Sequence, residues 1–364
     1  MAKTFNVTAD RMPNILKLEL ANTCNLSCSH CRFFSKEIDV KDYYKTEVGM
    51  TEDRVRKIFE EIGSNKASFT LNVANEPLQA PQFKMCVTEL KKYGHTGTIN
   101  TNGLLLNKDM CKFLVEQQFD SVSISVDAVT KESLKRIRGI TAIDKIIRNV
   151  KRLVEIRGSN ALPRIAVSFV VLPFNTKEIP EFLNFWKNIV DVIRFSGCEP
   201  NDTELTGPIS EENKPDLSML PDLEMEKIPV RTPCMQIYRD MIVKANGDVR
   251  PCCIDDDISM GNIFTDGGIE KVWNGKKFQE WRNLHNQSKW GVISACKDCN
   301  FWVETLQPKE KETEEFLICS PSPYRVFYNV KKRLDNWDRV NMIDRYQPYQ
   351  PANAKSVKKV YINI

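Results

Sequence analysis

The chain is predicted to be an α/β protein followed by a smaller cysteine-bearing α+β unit, and three observations predict it. From about residue 14 to 198, six short apolar or alternating runs are separated by amphipathic helical stretches, the repeat of an α/β fold. Three cysteines, Cys24, Cys28 and Cys31, fall on the loop after the first run, where barrel enzymes place their chemistry. A second cysteine set begins only after the composition changes near residue 199, which marks a boundary. The strand count alone leaves a partial (β/α)6 barrel, an eightfold barrel and a doubly wound sheet open.

In order, Ile15-Leu16-Lys17-Leu18-Glu19-Leu20 alternates apolar and charged residues and reads as the first strand. Arg32 to Met50 is polar, with Phe33, Phe34, Tyr43 and Tyr44, and reads as a long loop. Thr51-Glu52-Asp53 then opens a helix with a cap and acids in its first turn, and Val55, Ile58, Phe59 and Ile62 form its apolar face up to Gly63. Phe69 to Ala74 is the second strand, ending in Asn75-Glu76-Pro77. Phe83, Cys86, Val87 and Leu90 share one face of the next helix, which Gly94 ends. The third strand, Thr98 to Gly103, precedes a helix capped by Asn107 and carrying Met110, Cys111, Leu114 and Val115. Cys86 and Cys111 therefore read as small buried hydrophobes. Ser121 to Val126 is the fourth strand, ending at Asp127; a helix over about 143–156, a strand from Ile165 to Leu172 ending near Asn175, and a helix over 181–189 follow. Val192 to Ser196 is the sixth strand, with Cys198 just beyond it.

A net charge of +4, from 52 basic and 48 acidic residues, is close to balance, and nothing in it asks for nucleic acid. The first residues are polar, and no apolar run reaches membrane length, so a cytoplasmic protein with no membrane partner is expected. Twelve cysteines in such a chain, at C-x3-C and C-x2-C spacings, point to metal thiolates rather than disulfides.

Three clustered thiolates are one fewer than a closed zinc or iron-sulfur site requires, which leaves one metal position for another ligand. The motif, with His30 where an aromatic residue is usual, resembles that of the radical S-adenosylmethionine (SAM) superfamily. The resemblance implies a partial (β/α)6 barrel and a 4Fe-4S cluster on Cys24, Cys28 and Cys31, with SAM on the fourth iron. Electron transfer into the bound sulfonium would yield a 5'-deoxyadenosyl radical that takes hydrogen from a substrate. By the same resemblance Asn75 and Glu76, in a segment that lacks the family's two glycines, meet the SAM amino group. It places Ser125 and Asp127 near the ribose and carboxylate, Arg138 at the carboxylate, Asn175 at adenine or ribose, and His30 beside adenine. His95 and His285 read as ordinary surface residues.

Residues 199–230 are rich in proline and acids and read as a linker or an excursion at the mouth of the site. Beyond them, Cys234, Cys252 and the pair Cys296 and Cys299 form a four-thiolate set, and Asn246-Gly247 predicts a hairpin that places Cys252. Alone, this set fits zinc as well as iron. Beside the first motif, its Gly247-x4-Cys252 and C-x2-C pattern resembles the twitch or SPASM domain, which implies an auxiliary 4Fe-4S cluster over residues 231–303. A broken helix is expected over 269–284, and 304–364 forms a tail of unassigned role. Cys198 and Cys253 are candidate catalytic thiols, as hydrogen-atom donors. The expected activity is oxidation or epimerisation of a small polar molecule such as a sugar or aminocyclitol, with a peptide side chain as the alternative substrate. A flavodoxin- or ferredoxin-type reductase is expected as electron donor.

Overall fold

Alternation decides the first strand: in β1 (Ile15–Leu18) Leu16 and Leu18 are fully buried beneath helices, while Ile15 and Lys17 line the interior of the sheet. The computed structural model of the chain describes residues 4–198, 217, 219–223, 230–253, 258–306, 309–322 and 324–336. A single helical turn, α1 (Asp42–Lys45), interrupts the predicted long loop. In α2 (Glu52–Ile62) the Thr51 hydroxyl accepts the Arg54 N–H at 3.3 Å, and the four predicted apolar residues are buried. The repeat continues through β2 (Ser68–Thr70), α3 (Phe83–Lys92), β3 (Thr96–Thr101), α4 (Lys108–Glu116) and β4 (Ser121–Ser125). Asn107 caps α4 by accepting the Met110 N–H at 2.8 Å.

The sequence reading omitted α5 (Lys131–Arg138), whose apolar residues are only Leu134 and Ile137; Thr130 caps it, and Gly139 in the left-handed region closes it. Then come α6 (Ile143–Arg157), β5 (Arg164–Val171), α7 (Ile179–Trp186) and β6 (Val192–Gly197). The strands β1 to β6 are parallel and adjacent in chain order, so the C-terminal ends of all six open on one side.

The second unit joins this sheet. After the turn α8 (Gln236–Arg239), β7 (Asp240–Val243) pairs parallel with β1, Leu18 opposite Val243. The predicted hairpin to β8 (Asp248–Arg250) is present, followed by β9 (Gly261–Asn262). Gly247 has φ +90°, and a Cβ there would lie 2.2 Å from Phe264 Cδ2, so the turn requires glycine. The expected broken helix is α9 (Ile269–Trp273) and α10 (Lys276–Asn286), separated at Asn274 and Gly275, and α11 (Ser294–Lys297) carries Cys296.

Part of the tail is also sheet. The antiparallel strands β10 (Lys309–Glu312), β11 (Phe316–Ser322) and β12 (Arg325–Val330) continue the arc, with β12 antiparallel to β6. The edge of the arc beside β6 is thus covered, because Phe316, Ile318, Val326 and Tyr328 bury themselves in the main core. Most of the acidic segment 199–230 lies outside the described residues; Leu217 and Leu220 within it are buried. His95 and His285 correct the surface expectation, being 2% and 0% exposed. His95 packs among Phe59, Phe69 and Tyr93, while His285 Nδ1 accepts the Cys234 N–H. Cys86 and Cys111 are fully buried, as expected. Among the described residues no helix is long and apolar enough to cross a membrane.

Candidate active site

Cys24, Cys28 and Cys31 line one cavity of about 310 Å³ at the C-terminal ends of β1 to β4. His30, Asn75, Glu76, Ser125 and Arg138 line it too, so most of the predicted pocket is assembled there. Asp127 and Asn175 are fully buried and lie outside that lining. Asn175 donates to Val170 O at 2.9 Å and Asp127 O at 3.4 Å and accepts the Leu172 N–H at 2.9 Å. Its amide thus ties the loop after β5 to the end of β4.

Asp127 is likewise engaged by its neighbours. Its Oδ1 accepts the Val170 N–H at 2.9 Å, and its Oδ2 pairs with Arg138 in the interior. Arg138 NH1 lies 3.9 Å from Cys28 Sγ. Burial lowers the Arg138 pKa, but the Asp127 carboxylate and the Cys28 thiol outweigh it and the net direction is upward, so the guanidinium is a fixed cation against the Cys28 thiol. His30 is held by burial at a pKa of about 4, a neutral imidazole at neutral pH.

Glu76 accepts from the Thr101 hydroxyl at 2.6 Å, the Asn102 N–H at 2.7 Å and the Leu78 N–H at 3.3 Å. Its own N–H donates to Thr23 O at 2.9 Å, and Asn102 Nδ2 donates to Asn25 Oδ1 at 2.7 Å. Glu76 therefore clamps the ends of β2 and β3 to the cysteine loop. Burial raises its pKa, and the three donated hydrogen bonds oppose that rise. Asn102 escaped the sequence reading; its place at the end of a polar strand, before Gly103, was the available signal.

The thiols suit a cluster. Burial pushes Cys24 up to about 12, and the charges of Glu76, Cys28 and Cys31 add to the rise, so the three sulfurs sense one another. Metal must displace these protons to bind. Among the described residues no three His, Cys, Asp or Glu side chains converge closely enough for a lone ion. Thiols spread around a cavity offer instead one ligand to each of several irons.

In the second unit burial raises Cys234 to about 12, with the charges of Cys299 and Cys296 contributing. The Phe301 N–H donates to Cys299 Sγ at 3.2 Å, and Arg231 holds Cys296 O at 2.7 Å. Cys252 is half-buried after β8. Its neighbour Cys253 faces a second cavity of about 170 Å³, with Gln236 Nε2 3.9 Å from its sulfur. Cys198 is half-buried after β6 and lines neither cavity. The two cavities share Asn72, Val73 and Asn100 as walls, so the inner one adjoins the cluster-side one.

A parallel arc with three thiols at its strand ends, joined to a second thiol set through β7, defines an iron-sulfur barrel protein. Residues 18–186 match the radical SAM superfamily, and residues 234–300 match the iron-sulfur cluster-binding domain called SPASM. The chain belongs to the radical SAM superfamily and carries a C-terminal SPASM/twitch-like cluster domain. Its cofactors are a SAM-binding 4Fe-4S cluster and auxiliary iron-sulfur. It is 27% identical to a probable GTP 3',8-cyclase of Saccharolobus islandicus over 48% of this chain and 53% of that protein. The chain thus spans about half the length of the first curated relatives it matches. It is 25% identical to the tungsten-containing aldehyde ferredoxin oxidoreductase cofactor-modifying protein of Pyrococcus furiosus, over 78% of this chain and 86% of that one. Among solved structures, Streptococcus suis SuiB bound to SAM shares the fold with a TM-score of 0.57, at 16% identity over 79% of this chain and 72% of that one.

Proposed function

We propose that this radical SAM enzyme removes a hydrogen atom from a small polar molecule held in the inner cavity, and oxidises or epimerises the carbon left behind. The observation that carries the reading is the place of that cavity. It adjoins the cavity of Cys24, Cys28 and Cys31 on one side and Cys253, next to the auxiliary ligand Cys252, on the other. Ten of its fifteen lining residues are polar or charged, with Thr70, Asn72, Asn100 and Thr305 beside ion-paired side chains, which gives a hydroxylated or charged guest hydrogen-bond partners. When bound, the SAM cluster supplies the hydrogen-abstracting radical and the auxiliary cluster a one-electron acceptor.

The chain's own residues do the rest. Glu76 and Asn102 hold the ends of β2 and β3 against the cysteine loop, Arg138 opposes the charge gathered on Cys28, and buried His30 keeps a neutral wall. Electrons are expected from a flavodoxin- or ferredoxin-type reductase. The test is anaerobic reconstitution followed by dithionite-driven assay for 5'-deoxyadenosine, with candidate polar substrates added. Formation of 5'-deoxyadenosine, stimulated by a sugar or aminocyclitol, supports the reading. No cleavage of SAM in iron-loaded protein overturns it, and stimulation by peptides alone moves the substrate class to peptide side chains.

A further inference from the structure

The inner cavity carries more charge than its walls neutralise. Among the described residues, Lys17, Arg239 and Arg325 line it together with the carboxylates Asp240 and Glu304. Asp240 is shared, with Oδ2 3.0 Å from Lys17 Nζ and Oδ1 2.6 Å from Arg239 Nε, and Glu304 Oε2 lies 2.9 Å from Arg325 NH1. Among these described side chains the cations outnumber the carboxylates by one, a balance that favours entry of an anion.

Two side chains indicate where the anion would sit. Arg239 is 7% exposed, and among the described residues the one hydrogen bond of its side chain runs from Nε to Asp240, so the far edge of the guanidinium fork is unspent. Gln236 lies one turn earlier on α8 and is 4% exposed, and its Oε1 has no partner. A buried acceptor without a donor costs stability unless a ligand supplies one. A cation fork and an orphan acceptor three residues apart on α8, both lining the same cavity, match a carboxylate with a neighbouring hydroxyl or ammonium group. Among the described residues a single fork and a single excess charge fit a planar monoanion; a phosphate dianion would call for more cations or a row of backbone N–H groups.

We propose that Arg239 binds the carboxylate of the substrate, with Gln236 accepting from the group beside it. This rests on the reading of the inner cavity as the substrate site. The probe is acetate, with acetamide as its neutral counterpart, followed by saturation-transfer NMR on cluster-loaded, SAM-bound protein. Wild-type protein should bind acetate saturably and acetamide at least about tenfold more weakly, as expected for a charge-assisted pair. Arg239→Gln should lose about tenfold or more in acetate affinity. Arg239→Lys, which keeps the charge that Asp240 needs, should lose less because it lacks the fork. Displacement of acetate by succinate would mark a free small acid as the source, and displacement by glycylglycine but not its amide a peptide terminus; either supports the carboxylate site. No acetate binding, or equal binding in Arg239→Gln and Arg239→Lys, overturns it. SAM cleavage measured on the same samples separates the two readings: absent cleavage in the wild type counts against the enzyme reading whatever acetate does.

Discussion

Replacing Arg138 by Met would remove the cation from a buried pair and leave the Asp127 carboxylate in the interior with the Val170 N–H as its remaining partner outside the loop backbone. Breaking such a pair from one side costs about 3–5 kcal/mol. With an unfolding entropy of about 2.1 cal/mol/K per residue, 364 residues lose roughly 1.3 °C per kcal/mol, so melting should fall by about 4–7 °C. The double variant Asp127→Asn, Arg138→Met contains no buried charge at this point and should recover more than half of the loss. Anaerobic scanning fluorimetry at one fixed scan rate measures both. A second readout is independent of stability: Arg138 NH1 lies 3.9 Å from Cys28 Sγ, so loss of its charge should move the cluster's reduction potential to more negative values in an EPR-monitored titration. A single variant that melts within about 1 °C of the wild type, or a double variant no better than the single, would refute the buried-pair argument. An unmoved potential would refute the role toward the cluster.

Replacing Cys24, Cys28 or Cys31 by Ala should abolish formation of 5'-deoxyadenosine, whereas Cys234→Ala should remove about half of the roughly eight irons per chain while SAM cleavage persists; iron and sulfide analysis beside the cleavage assay checks both. Gly247→Ala should disturb the hairpin that positions Cys252, since its φ is +90° and the added Cβ meets Phe264, and auxiliary iron should fall with it. Burial holds His95 near a pKa of about 4, below the ordinary histidine value of 6.5. The unfolded chain therefore binds the extra proton first, and the stability this site contributes is full above about pH 6.5 and declines as pH falls toward 4. His95→Phe should flatten that part of the stability profile in denaturant titrations of the loaded protein.

The cysteine motifs, the helix caps at Thr51 and Asn107, and the Asn246-Gly247 turn were legible because each depends on residues close together in the chain. The α5 helix was missed because KESLKRIR offers two apolar residues and reads as a charged loop. Its last residue, Arg138, was assigned from resemblance to the SAM carboxylate, and only its place opposite Asp127 and Cys28 revealed the ion pair. His95 and His285 read as surface residues because the aromatic rings and the Cys234 N–H that surround them come from other elements. The tail was opaque because Lys309 to Glu312 is an exposed edge of alternating charge, which hides the apolar strands that follow it.

By itself the sequence determined the α/β class and the two thiol sets, since metal ligation and secondary-structure periodicity are written in short spacings, and its motifs' resemblance to a family supplied the partial barrel and the cofactor chemistry. Tertiary structure decided which polar residues face the cavities and which are consumed holding loops, as Asn175 is. It also decided that β7 pairs with β1 and β12 with β6, which joins the two units in one sheet and covers the edge beside β6. Those pairings bring together strands distant in the chain, and their gain comes from burying apolar faces that no local pattern identifies as partners.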